Sequence, residues 1–371
     1  MPVMHRNYML VLLIVPIIAL VAILFNCYGA RPPGSPGYVG DTSKQKSEEE
    51  IKAEGEQIKA NIEAKPEQVP QETYTDIAEP SLNLRIVVQS TLEDEQNKDL
   101  YLLDETGASP IRLTNAPSVE SFPSITGDGQ RIFFDSDMEN QEQTNPFQKP
   151  TEIYVIDVNT KEITRLTFDD RMDYGVTVSD DGSKIVYMTQ EIGQEGYENP
   201  QMILMNGDGT DQQVIQDEAL KNCVPKMSGD GKWVVFNSYR TGSWDIYLMN
   251  LDSKKAKNLT DSVVMDYYPS INYDGSVIVY EKLLDGIQDE EMYEIYRIDP
   301  SGKNETALTN DKFGDSFPAV TGDGKYVVFE SKRWDWDEDG HLNEALFIMN
   351  IDGSNIRKIS KQPAYFDQPD V

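Results

Sequence analysis

The chain has 371 residues, 39% of them hydrophobic, enough for one large or two ordinary domains with a sizeable core. Asp+Glu 64 against Lys+Arg 33 leaves a formal charge of -31, which repels phosphate backbones, argues against nucleic acid as a partner and favours cations and basic surfaces. Two cysteines, Cys27 and Cys223, make no disulfide framework and stand in segments too different to predict a bond, while two histidines, His5 and His341, leave no histidine-based catalytic or metal cluster.

In chain order, "MPVMHRNY" leads into the apolar run "MLVLLIVPIIALVAILF", Met9 to Phe25, broken by Pro16. Seventeen residues is long for the apolar core of a signal peptide and barely spans a bilayer interior of roughly 30 Å. The run ends in "LFNC", which resembles a bacterial lipoprotein box, with Asn26 where that motif takes a small residue. Three fates fit: an uncleaved anchor, a lipid-modified Cys27, or ordinary cleavage. Each delivers residues 28–371 across a membrane, to the bacterial periplasm or cell surface. Residues 28–82 are rich in Pro, Gly, Glu, Lys and Gln, the chemistry of a disordered linker. Within it Ile51, Ile58 and Ile62 allow a marginal helix.

From residue 83 onward the sequence repeats. "DLYLLDETG", "EIYVIDVNT", "QMILMNGDG", "DIYLMNLDS", "EIYRIDPSG" and "ALFIMNIDG" each read as a strand and a turn. Tyr101 to Asp128, Tyr154 to Asp181, Ile203 to Asp230, Tyr247 to Asp274 and Tyr296 to Asp323 are all 27 residues, and each of those aspartates opens an Asp-Gly turn before a β-rich run such as "KYVVFES". Each unit therefore predicts four strands, A to D, and four-stranded units recurring every 40 to 50 residues predict propeller blades. The first unit, starting at "LRIVVQS", lacks strand A; the chain ends in "FDQPDV", which matches the start of one. Pro369 stands 22 residues after Phe347, as Pro123, Pro225, Pro269 and Pro318 stand after their own anchors. An all-β, six-bladed ring over 83–371, closed by pairing the C-terminal strand with the first repeat, follows.

The units "LTNDKFGDSFPAVTGDGKYVVFES", "LTDSVVMDYYPSINYDGSVIVYEK" and "LTNAPSVESFPSITGDGQRIFFDS" resemble the TolB-like propeller repeat, a relative of WD-type repeats. The resemblance implies an extracytoplasmic six-bladed ring that binds proteins or peptides and does not imply an enzyme; with the tether supplied by the N-terminal run, it reads as a membrane-tethered, non-catalytic interaction module. It leaves a carbohydrate-binding or lyase-like propeller as the alternative, because the fold alone does not fix function.

Antiparallel order puts the A–B and C–D turns on one face and the B–C and D–A loops on the other. The B–C loops "DMENQEQTNPFQKPT", "EIGQEGYENP", "LLDGIQDEEMY" and "KRWDWDEDGHLNE" vary in length, which marks their face as the working one. Glu120, Asp173, Asn222, Asp266 and Asp315, each three residues before the recurring proline position, come to that face at the start of strand A. They predict either a ring of acids around the channel mouth, attracting a cation or basic peptide, or side chains bonded to local backbone. Trp334 and Trp336 are candidate exposed contacts in the loop of blade six.

That loop also carries Asp335, Asp337, Asp339, His341, Asn343 and Glu344 around Gly340. The first three acids match EF-hand positions 1, 3 and 5, with the His341 carbonyl at position 7, but position 12 is Leu346, and the loop joins two strands. It resembles the calcium loops of integrin-type propellers, which predicts a weak structural Ca2+ site. No nucleophile elbow, phosphate loop or zinc motif is present. The propeller is expected to be monomeric, with a protein or basic peptide docking on the loop-rich face.

Overall fold

The computed structural model describes residues 82–92, 98–140, 149–193, 197–216, 222–283, 293–311, 313–332, 345–360 and 366–371. The apolar run, Cys27 and the linker up to residue 81 lie outside them. So do Trp334, Trp336 and the six candidate calcium ligands, Asp335 to Glu344.

Among the described residues, twenty-four strands form six four-stranded antiparallel sheets. Blade one joins β24 (Phe366–Asp370) to β1 (Ile86–Ser90), β2 (Asp99–Leu103) and β3 (Ile111–Arg112). Blade two holds β4 (Glu120–Ile125), β5 (Arg131–Ser136), β6 (Glu152–Asp157) and β7 (Ile163–Arg165). Blade three holds β8 (Met172–Val178), β9 (Lys184–Ile192), β10 (Tyr197–Asn206) and β11 (Gln213–Gln216). Blade four holds β12 (Asn222–Met227), β13 (Trp233–Ser238), β14 (Asp245–Asn250) and β15 (Lys255–Asn258). Blade five holds β16 (Asp266–Ile271), β17 (Ile278–Leu283), β18 (Tyr293–Ile298) and β19 (Thr306–Ala307). Blade six holds β20 (Asp315–Val320), β21 (Tyr326–Ser331), β22 (Ala345–Asn350) and β23 (Arg357–Lys358). The A strands β24, β4, β8, β12, β16 and β20 pack side by side in that order, and β20 returns to β24, so the ring is closed. The closing strand pairs Ser90 with Phe366 and Val87 with Asp370, as the chain ends predict.

The Asp-Gly turns have a shared chemistry. In blade two the Thr126 hydroxyl donates to Asp128 Oδ1 at 2.7 Å, and the same oxygen accepts the Gln130 N–H at 2.9 Å. Ser179, Ser228 and Thr321 repeat the hydroxyl contact at 2.7–2.8 Å. The glycine after each aspartate sits at positive φ, for example 67° at Gly129, which suits a residue without Cβ. Successive turns bond to one another: Gly127 N–H to Asp180 O, Asp180 N–H to Gly229 O, Asp230 N–H to Tyr273 O and Tyr273 N–H to Gly322 O, all at 2.9–3.1 Å. This backbone girdle ties blades two to six together on the turn face.

Every A strand also carries the same β-bulge, where its pairing with strand B skips, as between Ser121 and Ser124. The residue at the skip is left-handed: Phe122 (φ 47°), Gly175 (64°), Val224 (47°), Tyr268 (43°), Phe317 (49°) and Gln368 (52°). In five of the six a proline follows, which has no N–H for a ladder and is tolerated in an inner strand only at such a bulge. Where Val176 replaces the proline, the left-handed residue is glycine. Side chains from the neighbouring blade offset the strain by accepting freed N–H groups. Gln368 Oε1 takes Phe122 N–H at 2.7 Å, Asp135 Oδ1 takes Gly175 N–H at 3.0 Å, Glu281 Oε2 takes Phe317 N–H at 3.0 Å, and Glu330 Oε1 takes Gln368 N–H at 2.8 Å.

One boundary differs from expectation. "EIGQEGYENP" reads as a B–C loop, but β9 continues to Ile192 and β10 starts at Tyr197, with Tyr197 paired to Ile192. Alternating polar residues on an edge can pair without burying an apolar face, so the pattern of hydrophobicity hides this extension.

Candidate functional site: the loop face and the ring axis

At each blade junction the start of strand C, the end of strand D and the start of the next strand A converge, and their polar residues recur at fixed spacing. The first set is Asp99, Thr114 and Glu120, the second Glu152, Thr167 and Asp173, the fourth Asp245, Thr260 and Asp266, and the fifth Glu294, Thr309 and Asp315. The threonine is the hub. Thr114 Oγ1 accepts Leu100 N–H at 2.9 Å and donates to Glu120 Oε2 at 2.8 Å. Thr167 Oγ1 accepts Ile153 N–H at 2.9 Å and donates to Glu152 Oε2 at 2.6 Å. Thr260 and Thr309 accept Ile246 and Ile295 N–H at 3.1 and 2.9 Å. The recurring Leu-Thr pair in the sequence is this latch.

The described side chains of the proposed mouth ring, Glu120, Asp173, Asp266 and Asp315, come to equivalent positions at the loop-face ends of the A strands, all at 0% exposure. Asn222 begins β12 at the same level. The four described side chains are buried and present no open ring of charge. Burial pushes Glu120 up to about 7, against hydrogen bonds from Ser118 and Thr114. Burial likewise lifts Asp173 to about 7. Asp266 rises to about 8 by burial, with Lys282 Nζ, 3.8 Å away, pulling the other way. Glu120 accepts from the Thr114 and Ser118 hydroxyls.

Deeper along the axis the bulge residues Phe122, Val224 and Tyr268 belong to one apolar cluster, with half-buried Phe317 packed on it. The Tyr268 and Phe317 rings lie 4.2 Å apart. One residue beyond its own bulge proline, Lys226 of blade four reaches Asp370 of blade one, Nζ to Oδ1 2.8 Å. These blades face each other across the six-bladed ring, so the ion pair is a cross-brace. Asp370 Oδ2 also accepts Ile125 N–H at 2.9 Å, joining blade two to the same point. Sequence reading missed this brace, because only ring closure brings positions 226 and 370 together.

On the loop face an aromatic track runs from blade four to blade five. Tyr239 lies 5.4 Å from Trp244, Trp244 5.7 Å from Tyr267, and Tyr267 6.3 Å from Tyr293. Trp244, only 2% exposed, is core and offers no stacking surface. Among the described residues, large apolar groups on this face that reach solvent are Phe168, 74% exposed, and Met265, 39% exposed, both in D–A loops. The Arg165 guanidinium supports the Phe168 ring at 4.9 Å. Exposed Asp169, Asp170 and Asp261 stand on the same loops. A polar loop holding one aromatic gives no periodic signal, so Phe168 was not legible as a contact. Cys223 is buried at the start of β12.

No family model matches the chain. Among curated proteins it is 26% identical to the Tol-Pal system protein TolB of Francisella tularensis over 57% of this chain and 47% of that protein. The chain thus spans about half the length of these relatives. Among solved structures, TolB from Acinetobacter baumannii superposes with a TM-score of 0.60 at 20% identity, covering 77% of this chain and 65% of that one. A structure described provisionally as TolB from Agrobacterium tumefaciens gives 0.54 at 19% identity, covering 74% and 88%. Six closed blades, latched by Leu-Thr pairs and Asp-Gly turns, and these likenesses agree: the protein is a six-bladed β-propeller similar to TolB.

Proposed function

We propose that the protein is a non-catalytic, extracytoplasmic interaction module, tethered through the apolar run Met9–Phe25, that docks a basic protein or peptide on its loop face. The carrying observation is Phe168, an aromatic ring 74% exposed and braced by Arg165, among exposed aspartates. An apolar anchor inside an acidic rim suits a partner with an apolar residue flanked by Lys or Arg. The TolB relatives, named as parts of the Tol-Pal system, support a protein partner and a periplasmic site. The test is in-cell photocrosslinking from position 168, with Phe168→Ala and a charge-reversed Asp169→Lys, Asp170→Lys variant measured against the captured partner. Loss of binding in both variants, and weakening by salt, is the expected result. Binding indifferent to both variants overturns the reading.

Attachment is tested by intact mass. A retained run, a lipid on Cys27 and a cleaved leader differ by kilodaltons or by acyl groups. The loop of blade six, Asp335 to Glu344, is proposed to bind Ca2+ as a structural staple. Calorimetric heat on calcium addition should fall in Asp337→Ala, and an unchanged titration removes the proposal.

A further inference from the structure

The junction between blades five and six departs from its counterparts in one respect. In blade one Asp99 meets Arg112 at 2.5 Å, and in blade two Glu152 meets Arg165 at 2.5 Å. Both arginines stand opposite a strand-C tyrosine, Tyr101 with Arg112 and Tyr154 with Arg165. In blade four the same station is Asn258, opposite Tyr247, and its amide donates to Asp245 at 3.2 Å. In blade five the station opposite Tyr296 is Ala307, which has nothing to donate. Lys282, which pairs in register with Asp266, has Ser331 as its counterpart opposite Asp315.

Three carboxylates gather there instead. Glu294, Asp311 and Asp315 each bring an oxygen within 4.8 Å of the others. Glu294 is 1% exposed; its Oε1 accepts the Asp311 N–H at 2.7 Å, and its Oε2 is buried without a closed hydrogen bond, the Thr309 hydroxyl beside the carboxyl falling short of one. A fully buried carboxylate oxygen without a donor costs free energy that a cation would recover. Burial first, then the charges of Asp315 and Asp311, raise the Glu294 carboxyl well above its usual range. An all-carboxylate set with no nitrogen or sulfur donor suits a hard cation, and Ca2+, which accepts irregular oxygen cages, suits it better than Mg2+, which demands a near-ideal octahedron.

We infer that Glu294, Asp311 and Asp315 form a calcium site that clamps strand C of blade five to strand A of blade six, supplying the positive charge that Arg112 and Arg165 supply inside blades one and two. The site shares no residue with the loop of residues 335–344 and does not depend on the docking proposal.

The test is calcium titration of the chelator-treated full chain by calorimetry and thermal melting, with magnesium as the competing probe. Calcium at about a hundred times its Kd should raise Tm by about 5 °C. Glu294→Gln and Asp311→Asn should weaken binding at least ten-fold. Asp311 is half-buried in a loop, so its variant reports even if Glu294→Gln does not fold. Ala307→Arg should restore the internal cation, raising Tm in chelator and abolishing the calcium response. The inference is overturned if calcium leaves the wild-type Tm unchanged, if the response persists in Asp311→Asn and Ala307→Arg, or if only Asp337→Ala removes it.

Discussion

Asp173 offers the sharpest test of how the junctions are built. It is fully buried at the start of β8, faced by Thr167 and Thr189, whose hydroxyls do not close a full hydrogen bond onto it. Burial lifts its carboxyl from the ordinary 3.8 to about 7. At ~1.4 kcal/mol per pH unit, ionising it in the folded state costs ~4 kcal/mol in full, or ~2 kcal/mol after local relaxation and water entry. The folded value lies above the unfolded one, so the folded state holds the proton more tightly. The protonated group's contribution is intact below pH ~4 and is lost as pH rises through about 7. Asp173→Asn keeps the shape and cannot ionise. Urea unfolding followed by tryptophan fluorescence at pH 5, 6, 7 and 8 should show the variant gaining ~2 kcal/mol on the wild type across that range. Parallel curves for the two proteins would refute a buried, protonated Asp173.

Removal of residues 366–371 deletes β24, exposes the edges of β1 and the β20 side of the ring, and removes Asp370; the truncated chain should aggregate or lose its cooperative melt, read by size exclusion and circular dichroism. At the blade-six bulge Phe317 sits at φ 49°, so Phe317→Gly should be more stable than Phe317→Ala by ~1 kcal/mol, the reverse of the usual order in a strand; Ala at or above Gly in a chemical melt would contradict the strain. Lys226→Met and Asp370→Asn should each cost ~1–2 kcal/mol, with a coupling of ~1 kcal/mol in a double-mutant cycle, since their exposures of 18% and 16% leave the pair partly screened. Additive losses would show that the cross-brace is only proximity.

The repeat made the architecture legible. Five equal spacings from Tyr101, Tyr154, Ile203, Tyr247 and Tyr296 to their Asp-Gly turns fix strand order within a blade, because the turn needs a glycine at positive φ and an aspartate to bond it. The split first blade was legible too, since "FDQPDV" carries the strand-A pattern and has no other partner to complete it. Even the bulges leave a mark, as a proline in five A strands and a glycine in the sixth.

What the sequence could not decide is where a side chain points once six blades share an axis. Glu120, Asp173, Asp266 and Asp315 were visible as a set, yet a one-dimensional pattern cannot tell a channel lining from a blade junction, because a bulge rotates the strand between those two directions. The Lys226–Asp370 brace and the Glu294–Asp311–Asp315 cluster join residues from different repeats. Contacts within a blade follow from local spacing, and the sequence alone determined them. Contacts between blades depend on ring closure, on burial and on which stations lack an arginine, and only the tertiary structure decided those.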